Sequence, residues 1–432
     1  MKYLSWFSIF RLGAVQLCLG AIVVICTSTL NRLMVVEAAL PAVLPGLLVG
    51  LHYAVQMSRP TWGYKSDTGG DRTRFIIMGM AALSLGGFLA AFGFVVMAAN
   101  FWAGLGLSVL AYTMIGMGVG ASGTSLLALL ATTTHPRRRA AAATITWLMM
   151  IFGIAVTATV VGKSLDPYSP ELLLKVVALV GVVALMLTTL AVWGIEARHA
   201  GVPEPQRDAM PFRQGLAQIW DEPRARNFTI FIFLSMVAYF MQELILEPYA
   251  GLAFAFTPGQ STQLSGAQNG GVFIGMLTVG IAATGLRIGS LRAWVMSGCA
   301  GSAVALLVIA LAGQMPSGPA ILQPATMVLG FFNGMFAVAA IGSMMALAGE
   351  GREEREGTRM GLWGAAQAVA AGLGGVVGAG AVDVARHFMS TPTAFGLVFT
   401  VEAGLFVVAT LMASQIIEGR QTAPMANLVP GE

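Results

Sequence analysis

Two long apolar segments end in polar side chains that could bind one another across the fold. These side chains are Asn31, Arg32, Glu37, Gln242, Glu243 and Glu247. Glu243 and Glu247 are one helical turn apart, so they share a helix face. Because an unpaired charge at an apolar segment is costly, we expect Arg32 to pair with Glu243 or Glu247 and to form a gate. The alternative is that each side chain reaches interfacial water beyond the end of its own helix.

A second polar group stands at a short turn. Gly63 is followed by Asp67, and Arg72 and Arg74 come a few residues later. A carboxylate near a helix terminus can pair with guanidinium groups, and relative motion of the helices can make and break that bond. The turn is therefore predicted to act as a latch. The alternative is a charged turn that only sets the orientation of the chain in a membrane.

The other reactive side chains show no spacing typical of a catalytic or metal site. Cys18, Cys26 and Cys299 lie in apolar segments without a CxxC or Cys/His pattern. No polar segment combines a nucleophile with a base, a carboxylate pair or a phosphate-binding loop. The sequence therefore predicts a protein without catalytic residues and without a metal site of its own.

One carboxyl group is hard to place. Glu402 lies well inside an apolar stretch, so it must find a partner or hold a proton. We therefore interpret it as a candidate for proton coupling.

The elements that position these residues are predicted to be membrane helices. Of 432 residues, 56% are hydrophobic and 10% are charged, whereas a soluble domain carries about 25% charged residues. The net charge of +4 does not indicate nucleic-acid binding, because the basic residues lie in short loops between apolar segments. Twelve segments are long enough to span a bilayer: 8–36, 41–62, 75–97, 102–132, 140–162, 172–195, 227–248, 266–286, 292–313, 320–348, 360–382 and 394–416.

The distribution of basic residues predicts the orientation of these spans. Nineteen lysine and arginine side chains fall in loops or ends on one predicted side, and four fall on the other. Arg59 lies at the inner end of the second span. Since cytoplasmic loops are enriched in lysine and arginine, both termini are predicted to be cytoplasmic.

A polar stretch near the middle of the chain separates six spans from six. We predict an N-terminal half over 1–196, a cytoplasmic linker over 197–226, a C-terminal half over 227–417 and a cytoplasmic tail over 418–432. Corresponding basic turns follow the second and eighth spans, which agrees with internal repetition. The predicted fold is an all-α membrane protein of the major facilitator architecture, with the first and seventh spans facing the cavity between the halves.

Five segments carry a resemblance to a known family: 11–13, 30–37, 59–67, 242–251 and 360–375. They resemble the PucC family, the bacteriochlorophyll delivery branch of the major facilitator superfamily. The run Leu–Trp–Gly–Ala–Ala–Gln ending at Gln367 is the most specific. The short chain and compact tail are more similar to the members associated with bacteriochlorophyll synthase than to the longer light-harvesting assembly factors.

The resemblance implies a multi-pass protein of the bacterial cytoplasmic or intracytoplasmic membrane that handles bacteriochlorophyll or a precursor. It would carry the pigment and deliver it to light-harvesting or reaction-centre polypeptides. Trp147, Trp363 and Gln367 could then offer flat faces and a hydrogen bond to a macrocycle. His52 could ligate the magnesium of the pigment or shuttle a proton, although a lone membrane histidine is more often a packing group.

Three other interpretations of the family resemblance stay open. The protein could be a non-catalytic partner that bacteriochlorophyll synthase requires. It could be a proton-coupled transporter of a small solute, which predicts a carboxylate near mid-membrane and a polar cavity. It could also be a scaffold whose glycine-rich faces bind single-span antenna polypeptides.

Overall fold

The computed structural model describes residues 3–59, 62, 71–135, 138–196, 220, 222–285, 288–349 and 356–417, and all regular structure in these ranges is helical. Eleven of the twelve main helices are long and apolar enough to cross a membrane. The second has only 14 residues. The helices are α1 (Trp6–Glu37), α2 (Val43–Gln56), α3 (Arg72–Met97), α4 (Phe101–Thr133), α5 (Arg139–Ser164), α6 (Pro170–Val192), α7 (Pro223–Phe254), α8 (Pro258–Val279), α9 (Leu291–Ala312), α10 (Gly318–Gly349), α11 (Glu356–Ala385) and α12 (Thr391–Ile416).

The largest difference from the predicted spans is at the start of α8. This helix begins at Pro258, two turns before the predicted start at 266. Thr257 and Gln260 form a capping box there, in which each side chain accepts a hydrogen bond from the other's backbone N–H. The first two turns are polar, so apolar content alone does not reveal them. Helix α7 also begins earlier than predicted, at Pro223, and continues through Pro248 to Phe254.

The buried apolar side chains divide into two large clusters that correspond to the two halves. One cluster fills α1–α6 and the other fills α7–α12. Leu244 of α7 belongs to the first cluster, whereas Val35 and Ala42 belong to the second. These exchanged residues mark where the halves meet.

Two helix pairs join the halves through small residues. Helices α5 and α8 pack closely, and the backbone at Gly162 faces the carbonyl of Gly259. A Cβ atom at Gly162 would lie 2.7 Å from that oxygen, so only glycine permits this approach. Helices α2 and α11 also pack through small residues, where a Cβ atom at Gly46 would lie 3.4 Å from the Cβ atom of Ala379, an ordinary van der Waals distance.

The bundle has two distinguishable ends. We call one the closed end, because α1 and α7 finish there and α2 and α8 begin there with contacts between the halves. We call the other the terminal end, because the first and last described residues lie there after an even number of crossings. The basic-residue distribution predicts that the terminal end is cytoplasmic.

Candidate functional site

Arg32 at the closed end binds its own helix and the other half, but through different partners from those predicted. Its side chain is 2% exposed. Nη1 lies 2.5 Å from Glu37 Oε1, and Nη2 donates to the carbonyl of Phe256 at 2.7 Å. The stretch Leu33–Glu37 is a π-helical turn, which brings residues five apart onto one face. Arg32 therefore forms its ion pair with Glu37 and not with Glu243 or Glu247.

Glu247 is buried among hydroxyl groups from both halves. Its carboxylate accepts hydrogen bonds from Ser28 of α1 and, at 2.5 Å, from Ser265 of α8. The two serine hydroxyls are 2.6 Å apart. Thr262 lies 3.5 Å from the second carboxylate oxygen and 3.3 Å from the hydroxyl of Thr29. We call Ser28, Glu247, Thr262 and Ser265 the hydroxyl cluster, and it connects α1 to α7 and α8.

Asn31 compensates for a proline in the opposite half. Pro248 has no backbone N–H, so the carbonyl four residues earlier, that of Leu244, has no helical donor. Asn31 Nδ2 donates to this carbonyl at 2.7 Å. Its neighbour on α7, Gln242, is 1% exposed and has no hydrogen-bond partner among the described residues.

The start of α2 is capped by a residue of α11. The carboxylate of Asp383 accepts hydrogen bonds from the backbone N–H groups of Ala42 at 3.0 Å and Val43 at 2.8 Å. A carboxylate is the favoured partner of free N–H groups at a helix N-terminus. We did not predict this contact, which fixes α2 to the C-terminal half.

From mid-membrane toward the terminal end, the wall between the halves becomes aromatic. Tyr53 of α2 contacts Phe240 of α7 with ring centroids 5.9 Å apart, and Phe240 contacts Tyr239 at 5.1 Å. Tyr53, Tyr239 and Glu243 are each half-buried. Half-buried side chains on facing helices of the two halves mark where the cavity predicted between the halves would open, and we use the name inter-half cavity for that predicted space. Arg59, three residues beyond the end of α2, is exposed.

His52 is held away from this accessible surface. It is 2% exposed, and its Nε2 atom is 2.7 Å from Gln56 Nε2. Arg59 in turn donates to Gln56 Oε1. Because the amide nitrogen of Gln56 donates, His52 Nε2 must accept, which leaves the proton on Nδ1. The described packing thus uses the lone pair that a metal would need, and it places His52 in the core of the half.

Of the three residues predicted to contact pigment, Trp363 is packed inside the protein. Its side chain is 1% exposed, its ring packs edge-on against Phe228 at 4.9 Å, and Nε1 donates to Thr229 at 3.1 Å. The prediction that Trp363 lines the cavity is corrected, because the close packing of α11 on α7 buries this face. Trp147 is 41% exposed and Gln367 is half-buried, and a contact of either with pigment stays a prediction.

Glu402 lies inside the C-terminal half. It shares a face of α12 with Phe399 and Phe406, is fully buried, and has no hydrogen-bond partner among the described residues. Asn333 of α10 accepts a hydrogen bond from Ser302 in the same half. The role of Glu402 in proton coupling stays a prediction.

The predicted latch is described only in part. Gly63 and Asp67 lie outside the described residues. The backbone N–H of Arg72 donates to the carboxylate of Glu196 at 2.9 Å, and that of Arg74 donates to Asp71. The described contacts of this turn therefore cap α3 within the N-terminal half. In the described ranges no three histidine, cysteine or acidic side chains cluster as metal ligands.

Sequence reasoning missed the residues that join the two halves most directly. The hydroxyls of Ser28, Thr262 and Ser265 carry no charge, so they do not stand out in an apolar chain. The proline at 248 does indicate a free carbonyl at Leu244 and could have identified the role of Asn31. Nothing in the sequence beyond their residue type indicated that Tyr53 and Tyr239 lie at the interface between the halves.

The chain matches a known protein family and has relatives of similar length. A model of the PUCC protein family matches residues 29–421. The chain is 64% identical over 429 residues to the bacteriochlorophyll synthase 44.5 kDa chain of Rhodobacter capsulatus, covering 99% of this chain and 100% of that one. It is 28% identical over 445 residues to protein PucC of Cereibacter sphaeroides, covering 96% and 93%.

Solved transporters share the fold. The nucleoside transporter NupG superposes with a TM-score of 0.62 at 14% identity, covering 95% of this chain and 98% of that one. The peptide transporter POT in complex with sulfate superposes with a TM-score of 0.70 at 15% identity, covering 96% of each. At such identities the likeness shows the fold alone, and it confirms the predicted transporter-like arrangement of membrane helices.

Proposed function

We propose, on the premise that this chain belongs to the PUCC family, that it carries bacteriochlorophyll or a precursor and delivers it to light-harvesting or reaction-centre polypeptides. The chain is a multi-pass membrane protein with a transporter-like fold. Its 64% identical relative is named as a chain of bacteriochlorophyll synthase. These findings support a role in the handling of this pigment in a photosynthetic membrane.

The observation that carries the proposal is the aromatic wall of the inter-half cavity. Tyr53, Tyr239 and Phe240 come from both halves and meet edge to face. Aromatic side chains give large apolar contact areas and suit flat conjugated ligands. At the closed end, the hydroxyl cluster binds α1 to α7 and α8. A cavity closed at one end and aromatic toward the other suits an apolar cargo that must be kept from water.

The test is the absorption spectrum of the protein purified in mild detergent from pigment-producing cells. We expect bound pigment in the native protein and a loss of most of it in a Tyr53→Ala, Tyr239→Ala double variant. Trp102→Ala is the matched control, because Trp102 is 77% exposed on α4 and should not contact cargo. Equal pigment in all three proteins, or none in the native protein, would contradict carriage.

A second candidate function is that of a non-catalytic partner of bacteriochlorophyll synthase. The printed name of the 64% identical relative favours it. This function predicts that the esterifying enzyme copurifies with the chain and that esterification activity falls in membranes that lack it. Carriage alone predicts normal esterification with misplaced pigment, so measuring both quantities in one set of membranes separates the two.

A further inference from the structure

We propose that Glu247 is a proton-binding site, and that the closed end is held shut only while this carboxyl group holds its proton. The ligand is a single proton, which is exchanged with water on the side of the membrane that the closed end faces. This inference goes beyond the proposed function, because it concerns how the two halves separate and not what they carry.

The number of hydrogen atoms that the hydroxyl cluster needs indicates this proton. Glu247 Oε1, Ser28 Oγ and Ser265 Oγ form a triangle in which every side is a hydrogen-bonding contact. Ser265 Oγ lies 2.5 Å from Oε1 and 2.6 Å from Ser28 Oγ, and Ser28 Oγ also contacts Oε1. Three such contacts need three hydrogen atoms. Each serine hydroxyl supplies one, so the carboxyl group supplies the third.

An ionised Glu247 does not satisfy the same geometry. Both serines would then donate to Oε1, which leaves their two oxygens 2.6 Å apart with no hydrogen atom between them. In the acid form, Glu247 donates to Ser28, Ser28 donates to Ser265, and Ser265 donates back to Oε1. Every oxygen of this ring donates one hydrogen bond and accepts one, and hydrogen bonds connected in this way strengthen one another.

The second carboxyl oxygen gives independent support. An ionised carboxylate has about four lone-pair sites for hydrogen-bond donors. Oε2 of Glu247 has one described contact, with Thr262 at 3.5 Å, and Thr262 lies closer to Thr29, at 3.3 Å. Glu247 is 1% exposed, so water does not supply the missing donors. Burial of a charge with so few partners is costly, and a neutral acid avoids this cost.

The short spacing of the ring favours a proton over a metal ion. Oxygen ligands about 2.1 Å from Mg²⁺ in octahedral geometry lie about 3 Å apart, and larger cations bind their oxygens at longer distances. The contacts of Ser265 Oγ, at 2.5 and 2.6 Å, are shorter than this spacing. These oxygens are therefore joined by hydrogen atoms.

The charges around Glu247 do not replace the proton. Arg32 lies beside the next turn of α7, since its Nη2 atom is 3.3 Å from the place that a Cβ atom on Gly251 would take. Its guanidinium already binds Glu37 and the carbonyl of Phe256. Helix α8 contains no charged residue. Within the described ranges the ion pairs are Arg32–Glu37 and Lys175–Glu171, so Glu247 joins neither. The other ionisable groups of the helices and loops next to this region are Cys26, Lys163, Asp166, Tyr168, Glu243, Tyr249, Asp383, Arg386, His387 and Glu402.

Separation of the halves opens this site to water. Ser28 belongs to α1, whereas Glu247 and Ser265 belong to the C-terminal half. Movement of α1 away from α7 and α8 breaks two of the three ring contacts and exposes the carboxyl group, which then ionises as an ordinary glutamate does in neutral water. Closing takes the proton up again. One proton is therefore exchanged each time the closed end opens and closes.

The experiment measures how fast a cysteine at position 35 is alkylated in the full-length protein in detergent. Val35 is 2% exposed at the interface and the three native cysteines are buried, so alkylation of Val35→Cys reports opening of the closed end. The rate is measured over a pH series and divided by the rate of a Glu247→Gln protein with the same probe, which removes the pH dependence of the thiol itself. We expect a ratio near one at acid pH. Once Glu247 ionises, the ratio should rise by up to about tenfold per pH unit, as linkage to one proton requires.

The matched control is Glu243→Gln, because Glu243 is a half-buried carboxyl group one turn away on the same helix. Its ratio should rise with pH as that of the native protein does. Ser28→Ala removes one member of the ring, so its rise should begin at lower pH. A native ratio that stays flat, or one that Glu243→Gln flattens, overturns the inference. Protection of the probe that follows sodium concentration at constant pH, and not pH, indicates a bound metal ion and also overturns it.

Infrared spectroscopy of the native protein gives a second readout that does not depend on the folding of Glu247→Gln. A carboxylic-acid C=O band should be present at acid pH and should disappear over the pH range in which the probe becomes reactive. Ser28→Ala should shift this band, because the acid loses a hydrogen-bond partner. If no acid band disappears as the probe becomes reactive, Glu247 does not hold the proton. Neither measurement uses pigment, so the result is independent of the proposed function.

Discussion

The two ends of the interface between the halves satisfy their polar groups in different ways. At the closed end, Asn31, Glu247 and Asp383 each bind atoms of the opposite half. Asn31 and Glu247 are buried, and Asp383 is half-buried. Toward the terminal end, Tyr53 and Glu243 stay half-buried. Hydrogen bonds between the two halves stabilise one conformation, whereas accessible side chains remain available to bind a ligand. On the proposed function, the closed end holds the conformation of the protein and the cavity end binds the cargo.

The strongest way to break this contrast is to push the halves apart at α5 and α8. In Gly162→Leu the new side chain would meet the carbonyl of Gly259, a backbone atom that cannot turn away. We expect the free energy that holds the two halves together at the closed end to fall by about 3 kcal/mol. The readout is alkylation of a Val35→Cys probe, since Val35 is 2% exposed at the interface and the three native cysteines are buried.

The matched control for this variant is Gly106→Leu on α4. A Cβ atom at Gly106 has nothing within 4 Å, so alkylation at position 35 should not change. If Gly162→Leu leaves the probe as protected as before, the α5–α8 contact does not hold the closed end.

Removal of the carboxylate from the hydroxyl cluster should have the next largest effect. Glu247→Ala leaves the hydroxyls of Ser28 and Ser265 buried without their main acceptor. The expected loss of stability is about 2 kcal/mol, within the range for unsatisfied buried polar groups. Thermal unfolding in detergent and alkylation of the position-35 probe both measure it.

Glu171→Ala is the comparison for this carboxylate, because Glu171 forms a solvent-exposed pair with Lys175. Such a pair contributes little, so neither readout should change. Equal behaviour of the two variants would show that the hydroxyl cluster does not stabilise the closed end.

The cap from α11 should have a smaller effect. Asp383→Ala leaves the N–H groups of Ala42 and Val43 without their acceptor, which costs about 1 kcal/mol for a helix cap. Because the cap joins the halves, we expect faster alkylation of the Val35→Cys probe as well as a lower unfolding temperature. Asn100 caps α4 within one half, so Asn100→Ala should lower the temperature without exposing the probe. If the Val35→Cys probe stays protected in Asp383→Ala, the contact caps α2 but does not hold the halves together.

The smallest expected effect is the coupling of Arg32 to its ion-pair partner, and measuring it tests which carboxylate that partner is. A double-mutant cycle of Arg32 with Glu37 should give a coupling of about 0.5–1 kcal/mol, since Glu37 is 40% exposed and water weakens the pair. The cycle of Arg32 with Glu243 should be additive within about 0.5 kcal/mol. Unfolding free energies of the single and double variants measure both. A larger coupling to Glu243 would restore the pairing that the sequence suggested.

The fold could be predicted from the sequence because apolar length and basic loops are strong signals in a membrane chain. The site could be predicted only in part, since α1 and α7 hold the expected polar residues but their partners depend on geometry. Arg32 reaches Glu37 through a π-helical turn that no residue pattern announces. The predicted span omitted the polar first turns of α8, because a spanning segment is recognised by its apolar residues. These turns bring Thr262 and Ser265 to Glu247. Trp363 was misplaced because packing of α11 on α7 decides which of its faces is open.

The cap on α2 has a consequence for how the protein is made. Ala42 and Asp383 are 341 positions apart, so the first turn of the second helix waits for its acceptor until the ribosome has synthesised nearly the whole polypeptide. During that interval its amide groups must be satisfied by lipid headgroups or water at the membrane surface. Docking of α2 on the C-terminal half can therefore be completed only after α11 has been synthesised, so the order of translation becomes part of the assembly of the two halves.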